Sequence, residues 1–111
     1  MRETQPKLIN GYIIDTTRVV GVIRLEKEAV ELHTIYKILK CLYDNGELNV
    51  SEMVKKCGVS YTTASKYSTI LREYGFVEVE VKGREKKLKL TEKGMEYLLL
   101  FTRLLSLFKK A

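Results

Sequence analysis

Hydrophobic and polar positions change their spacing several times along the chain, and each change predicts an element. Near the start, "LINGYII" and "RVVGVIRL" are β-branched and aromatic runs separated by Asp15-Thr16-Thr17. That composition predicts a two-stranded hairpin, with Gly11 and Gly21 weakening it or marking bulges. From Glu28 the period becomes helical: Val30, Ile35, Ile38, Leu39 and Leu42 share one stripe until Asp44-Asn45-Gly46 stops it. The "LNV" that follows is long enough only for a bridging strand. Ser51 is read as the cap of a short helix over residues 52–57, which turns Met53, Val54 and Cys57 inward and closes at Gly58. Ser60 then caps a second helix, with Ala64, Tyr67, Ile70, Leu71 and Tyr74 at helical spacing and Gly75 at its end.

Two helices joined by so short a turn form a helix-turn-helix arrangement. Beyond it, Val77, Val79 and Val81 alternate with Glu78 and Glu80, the mark of a strand with one wet face. "KGREKK" supplies a glycine-bearing turn, and Leu88 and Leu90 alternate with Lys87 and Lys89 on the return. Thr91 caps a last helix reaching about Phe108. The expected fold is therefore α+β, with three parts: an N-terminal extension over 1–27, a helix-turn-helix domain with its hairpin over 28–91, and a C-terminal helix over 92–111.

Charge sharpens this picture. The 111 residues carry a formal net charge of +6, with 45% hydrophobic positions, enough for a modest core. Residues 51–93 hold ten Lys/Arg against six Asp/Glu, so the excess surrounds the helix-turn-helix and its hairpin. An anionic partner is implied. The polar N-terminus lacks the apolar core of a signal peptide, and no run approaches the roughly 20 apolar residues of a membrane span. A soluble cytoplasmic, nucleoid-associated protein is expected. Cys41 and Cys57 read as small buried hydrophobes, with a disulfide between them left open. One histidine, His33, no metal-ligand spacing and no phosphate loop argue against an enzyme; neither a metal nor a cofactor is expected.

Short donors and acceptors cluster where the second helix begins. Side chains of a first helical turn project past the N-terminus, where the backbone N–H groups carry partial positive charge. A helix placed in a DNA major groove offers those residues to bases and phosphates. Tyr61, Thr62, Thr63, Ser65 and Lys66 occupy such positions, and Ser60 offers a hydroxyl to phosphate. Helix capping alone would also explain the Ser and Thr residues.

On "VSYTTASKYSTILREYGFVEVE" and "LKLTEKG", residues 29–108 resemble the winged helix-turn-helix regulators of bacteria and archaea, the arsenic-repressor type among them. The resemblance implies sequence-specific binding of double-stranded DNA. Its recognition helix would use Ser60, Tyr61, Thr62, Thr63, Ser65 and Lys66, and its wing Lys82, Arg84, Lys86 and Lys87. Ser68 departs from the family pattern, which has a large aliphatic there. An architectural DNA-binding protein and a winged-helix protein-assembly module are the alternatives.

The last helix has more apolar surface than one small domain needs. Residues 97–108 hold nine large apolar or aromatic side chains in twelve positions. Leu98, Phe101, Leu105 and Phe108 form an expected inner face. Leu99, Leu100, Arg103, Leu104 and Leu107 are left for a partner, and a homodimer is the expectation.

Overall fold

The computed structural model describes residues 7–9, 12–14, 22–25 and 28–110. It divides into two compact units, residues 1–35 and residues 36–111. In the first unit, four short strands form an antiparallel sheet in sequential order: β1 (Lys7–Ile9), β2 (Tyr12–Ile14), β3 (Val22–Leu25) and β4 (Glu28–Glu31). Where alternation suggested two strands, "LINGYII" holds both β1 and β2, paired Lys7 to Ile14 and Ile9 to Tyr12. The expected Asp15-Thr16-Thr17 turn and both glycines lie outside the described residues.

Helix α1 (Leu32–Asn45) begins four residues later than its apolar spacing predicted. Glu28–Glu31 pairs instead with β3, Ala29 opposite Arg24 and Val30 opposite Ile23. Burial follows the strand period here: Val30 is buried between exposed Ala29 and Glu31. A four-residue stretch satisfies both periods, and the pairing with β3 decides it.

In the second unit, α1 leads to α2 (Val50–Cys57), α3 (Tyr61–Glu73), the hairpin β5 (Val77–Lys82) and β6 (Glu85–Leu90), and α4 (Glu92–Ser106). Ser51 is not the cap of α2. Asn49 is: its side chain accepts from the Glu52 N–H at 2.8 Å, while Glu52 accepts from the Asn49 N–H at 3.0 Å. This reciprocal pair satisfies two otherwise orphaned donors, which Ser51 has no partner at the right spacing to do. Leu48 makes the predicted single bridge, exchanging backbone bonds with Leu88 of β6 at 2.8 and 3.2 Å.

The core of this unit is apolar throughout. Ile38, Leu39 and Leu42 from α1, Met53 from α2, Ala64, Ile70 and Leu71 from α3, Val77 and Leu88 from the hairpin and Leu98 from α4 are all buried. Ser68, the departure from the family pattern, is half-buried and satisfied, its hydroxyl donating to the Ala64 carbonyl at 2.6 Å. Val54, expected inward, is only half-buried.

Two devices fix the helices to their neighbours. Cys41 and Cys57 form a disulfide, their Cα atoms 5.5 Å apart, that ties α1 to the end of α2. Gly94, in the first turn of α4, is buried against the Phe76 carbonyl and the Leu90 side chain. An added methyl there would overlap both.

Two measurements check these devices. Reducing the disulfide, or replacing both cysteines by serine, should lower unfolding free energy by about 3 kcal/mol, the value expected for a loop of this size, in denaturant titrations with and without reductant. Gly94→Ala should destabilise by about 1–3 kcal/mol in the same titration, because overpacking outweighs alanine's helical advantage.

Candidate nucleic-acid interface

The chain turns from α2 into α3 within three residues. Gly58 ends α2 at φ +68°, a left-handed conformation that L side chains rarely adopt. Its carbonyl accepts from Lys37 Nζ of α1 at 3.2 Å. Ser60 then caps α3, its hydroxyl oxygen accepting from the Thr63 N–H at 3.1 Å.

The outer face of α3 is a continuous stripe. Tyr61, Thr62, Ser65, Lys66, Thr69, Arg72 and Glu73 are exposed, whereas Ala64, Tyr67, Ile70 and Leu71 are buried. Tyr61 is 64% exposed at the tip. Ser60 is exposed beside it, with its hydroxyl committed to the cap. Thr63 stands apart from the other candidates: it is half-buried, and its Oγ1 accepts from the Ser60 hydroxyl at 3.0 Å. Lys66 lies along the helix with Nζ 5.8 Å from the centroid of the Tyr67 ring. Sequence reasoning missed Thr69 and Arg72. The i+4 and i+7 spacing from Ser65 was the available signal.

The wing is less cationic than its sequence implies. Register places Lys82 opposite Glu85, Glu80 opposite Lys87 and Glu78 opposite Lys89. Strand residues two apart share a face, so these three pairs lie on one face and cancel. The other face pairs Val77 with Leu90, Val79 with Leu88 and Val81 with Lys86. Two wing cations also reach back toward the start of α2. Lys82 Nζ lies 2.8 Å from Glu47 Oε2, and Lys87 Nζ lies 3.6 Å from Glu52 and 3.8 Å from Glu85. The hydrogen bond from Lys82 holds the Glu47 carboxyl below its ordinary range, and Glu47 raises the ammonium of Lys82 in return. Glu52 is lowered first by the Asn49 backbone donor and then by Lys87. Asn49 Nδ2 donates to Glu85 Oε1 at 3.4 Å, completing a polar seam between wing and α2. Arg84, beside Gly83 in the turn, and Lys86 are exposed and lie outside these pairs.

The last helix is covered only at its start. Gly94 and Leu98 are buried, and Phe101 is half-buried, stacked on Tyr36 of α1 at 4.8 Å and on Tyr97 at 5.9 Å. Burial raises the Tyr97 hydroxyl well above its ordinary value. Past Phe101 every described residue is exposed. Leu105 and Phe108, expected on the inner face, are 46% and 81% exposed, alongside Leu99 at 60%, Leu100 at 59%, Leu104 at 48% and Leu107 at 78%. Arg103 is also exposed.

Comparison with known proteins gives a consistent result. The winged helix-turn-helix family profile matches residues 30–109. Similar solved structures include Sso10a-2, a DNA-binding protein from Sulfolobus solfataricus, at 18% identity and TM-score 0.61, covering 68% of this chain and 78% of that one. A MarR family regulator from Neisseria meningitidis has 22% identity and TM-score 0.57, over 71% of this chain and 57% of that one. The transcriptional repressor BigR from Xylella fastidiosa has 28% identity and TM-score 0.54, over 71% and 79%. No curated protein matches the chain in sequence.

The charge pairing has a measurable consequence. Glu47→Gln with Glu52→Gln removes two carboxylates facing Lys82 and Lys87, while the amide oxygen introduced at position 52 can still accept from Asn49. This double variant should elute from immobilised heparin at higher salt than the wild-type chain. Arg84→Ala with Lys86→Ala should elute earlier, since those two cations are not held by the seam.

Proposed function

The chain belongs to the winged helix-turn-helix family, and from that membership we propose that it is a sequence-specific double-stranded DNA-binding transcriptional regulator acting as a homodimer. The observation that carries this reading is the uncovered outer stripe of α3, continuous from Ser60 to Glu73. A recognition helix needs a solvent-facing side a duplex can accept, and that side is lined here by hydroxyls, an exposed tyrosine and two cations.

In this reading α3, residues 60–74, lies in the major groove. Tyr61, Thr62, Ser65 and Lys66 meet bases and phosphates, and Ser60 and Thr63 hold the helix tip that presents them. Arg84 and Lys86 at the wing tip meet the flanking backbone, while Lys82 and Lys87 join only by exchanging Glu47 and Glu52 for phosphate. The exposed leucines of α4, with Arg103 among them, pair with those of a second copy. A two-fold pair of recognition helices then reads half-sites about one DNA turn, roughly 34 Å, apart. The DNA-binding protein from Sulfolobus and the repressor from Xylella support this reading by likeness of fold.

The test is selection of duplexes from a random pool, followed by competition with random DNA. The expected specificity ratio is a thousandfold or more. A ratio below roughly a hundredfold would indicate an architectural protein, and no duplex binding at low salt would indicate a protein-assembly module. Lys66→Ala should weaken binding, and Leu104→Glu should yield a monomer by light scattering that binds the selected inverted repeat less tightly.

A further inference from the structure

We propose that α3 recognises thymine through methyl groups, so that the duplex preferred by this chain presents thymine C5-methyls where the helix lies. The inference rests on the proposed placement of α3 in the major groove and specifies what is read there.

Three observations lead to it. The first concerns which side chains are missing. Residues 60–69 read "SYTTASKYST" and contain no Asn, Gln or Arg. Those are the residues that make paired bonds to adenine or, for Arg, to guanine; within this stretch Lys66 alone can make a paired bond to guanine, and Arg72 follows one turn beyond Thr69.

The second concerns the hydroxyls that are present. The oxygen of Ser60 accepts from the Thr63 N–H, and its hydrogen goes to Thr63 Oγ1 at 3.0 Å. Thr69 donates its hydroxyl back to the Ser65 carbonyl at 3.3 Å. Ser68 donates to the Ala64 carbonyl. Much of the hydrogen-bonding capacity of this polar-looking segment is therefore spent within the helix itself.

The third is what remains outward. Tyr61, Ser65 and Thr69 follow one another at i, i+4 and i+8 along the exposed face, with Thr62 beside Tyr61. With its hydroxyl turned back, exposed Thr69 offers its methyl; Thr62 adds a second methyl, and the Tyr61 ring an apolar edge. The line from Tyr61 to Thr69 is roughly 12 Å long at 1.5 Å per residue, enough to pass three or four base steps. The apolar group that a major groove displays is the thymine methyl, and threonine methyls and aromatic rings are its usual partners.

The experiment uses the duplex enriched from a random pool and replaces thymidine by deoxyuridine one position at a time, which removes only the C5-methyl. Binding is measured for the wild-type chain, Thr62→Ser, Thr69→Ser and Thr69→Val. Uracil should cost the wild-type chain roughly fourfold in affinity at each contacted position, the value of one buried methyl group. Thr69→Ser should cost about the same, and Thr69→Val, which keeps a methyl, should cost little. Uracil at the position facing Thr69 should cost Thr69→Ser nothing further, because the contact is already gone. Tolerance of uracil at every position under α3, or independent addition of the Ser and uracil effects at all of them, would overturn the methyl reading alone. A chain that enriches no duplex would overturn the major-groove placement and the methyl reading with it.

Discussion

The three residues between α2 and α3 constrain the face that α3 displays. Within Gly58-Val59-Ser60 the chain must end one helix, change direction and begin another. Gly58 supplies the left-handed backbone, Lys37 satisfies its carbonyl, and Ser60 satisfies the Thr63 amide that α3 would otherwise leave bare. The disulfide anchors the last residue of α2 to α1 immediately before this turn. The angle at which α3 offers its outer face is thus set from behind by covalent and polar constraints, and its inner face is held by Ala64, Ile70 and Leu71 in the core.

The wing is fixed by a different balance. Backbone bonds between Leu48 and Leu88 extend the hairpin by one bridge, and the seam of Glu47, Asn49, Glu52, Glu85 and Lys87 runs beside it. Each of these ion pairs is at least partly exposed, and such pairs individually stabilise little. Their importance is orientation and accounting: they decide which cations are available to an outside anion.

Much of this was legible in the sequence, and the failures have particular causes. Ser60 and Thr91 were readable as caps because each precedes an uninterrupted helical stripe. Asn49 was missed in favour of Ser51, although the Asn49–Glu52 spacing of a reciprocal cap was already present. Glu28–Glu31 was read as helix because four residues cannot separate a period of two from one of 3.6; the pairing with β3 that settles it is non-local. The disulfide depends on the approach of α1 and α2, which spacing alone does not give. The outer stripe of α3 was seen only in its first two turns, so Thr69 and Arg72 escaped, while Thr63 was assigned outward although its side chain serves the cap. The wing was counted as a sum of charges. Its two-residue turn fixes a register that sets glutamates against lysines, and a sum cannot show that.

That cancellation bears on how such a protein would spend its time on a chromosome. Attraction to phosphate is blind to sequence, and a strongly basic wing would hold the molecule on the vast excess of irrelevant DNA. Were the wing to meet DNA as proposed, muting three of its ammonium groups would shorten each unproductive stay. In the proposed reading, the wing would then add little sequence-blind grip, and the choice between the right site and all the others would fall to α3.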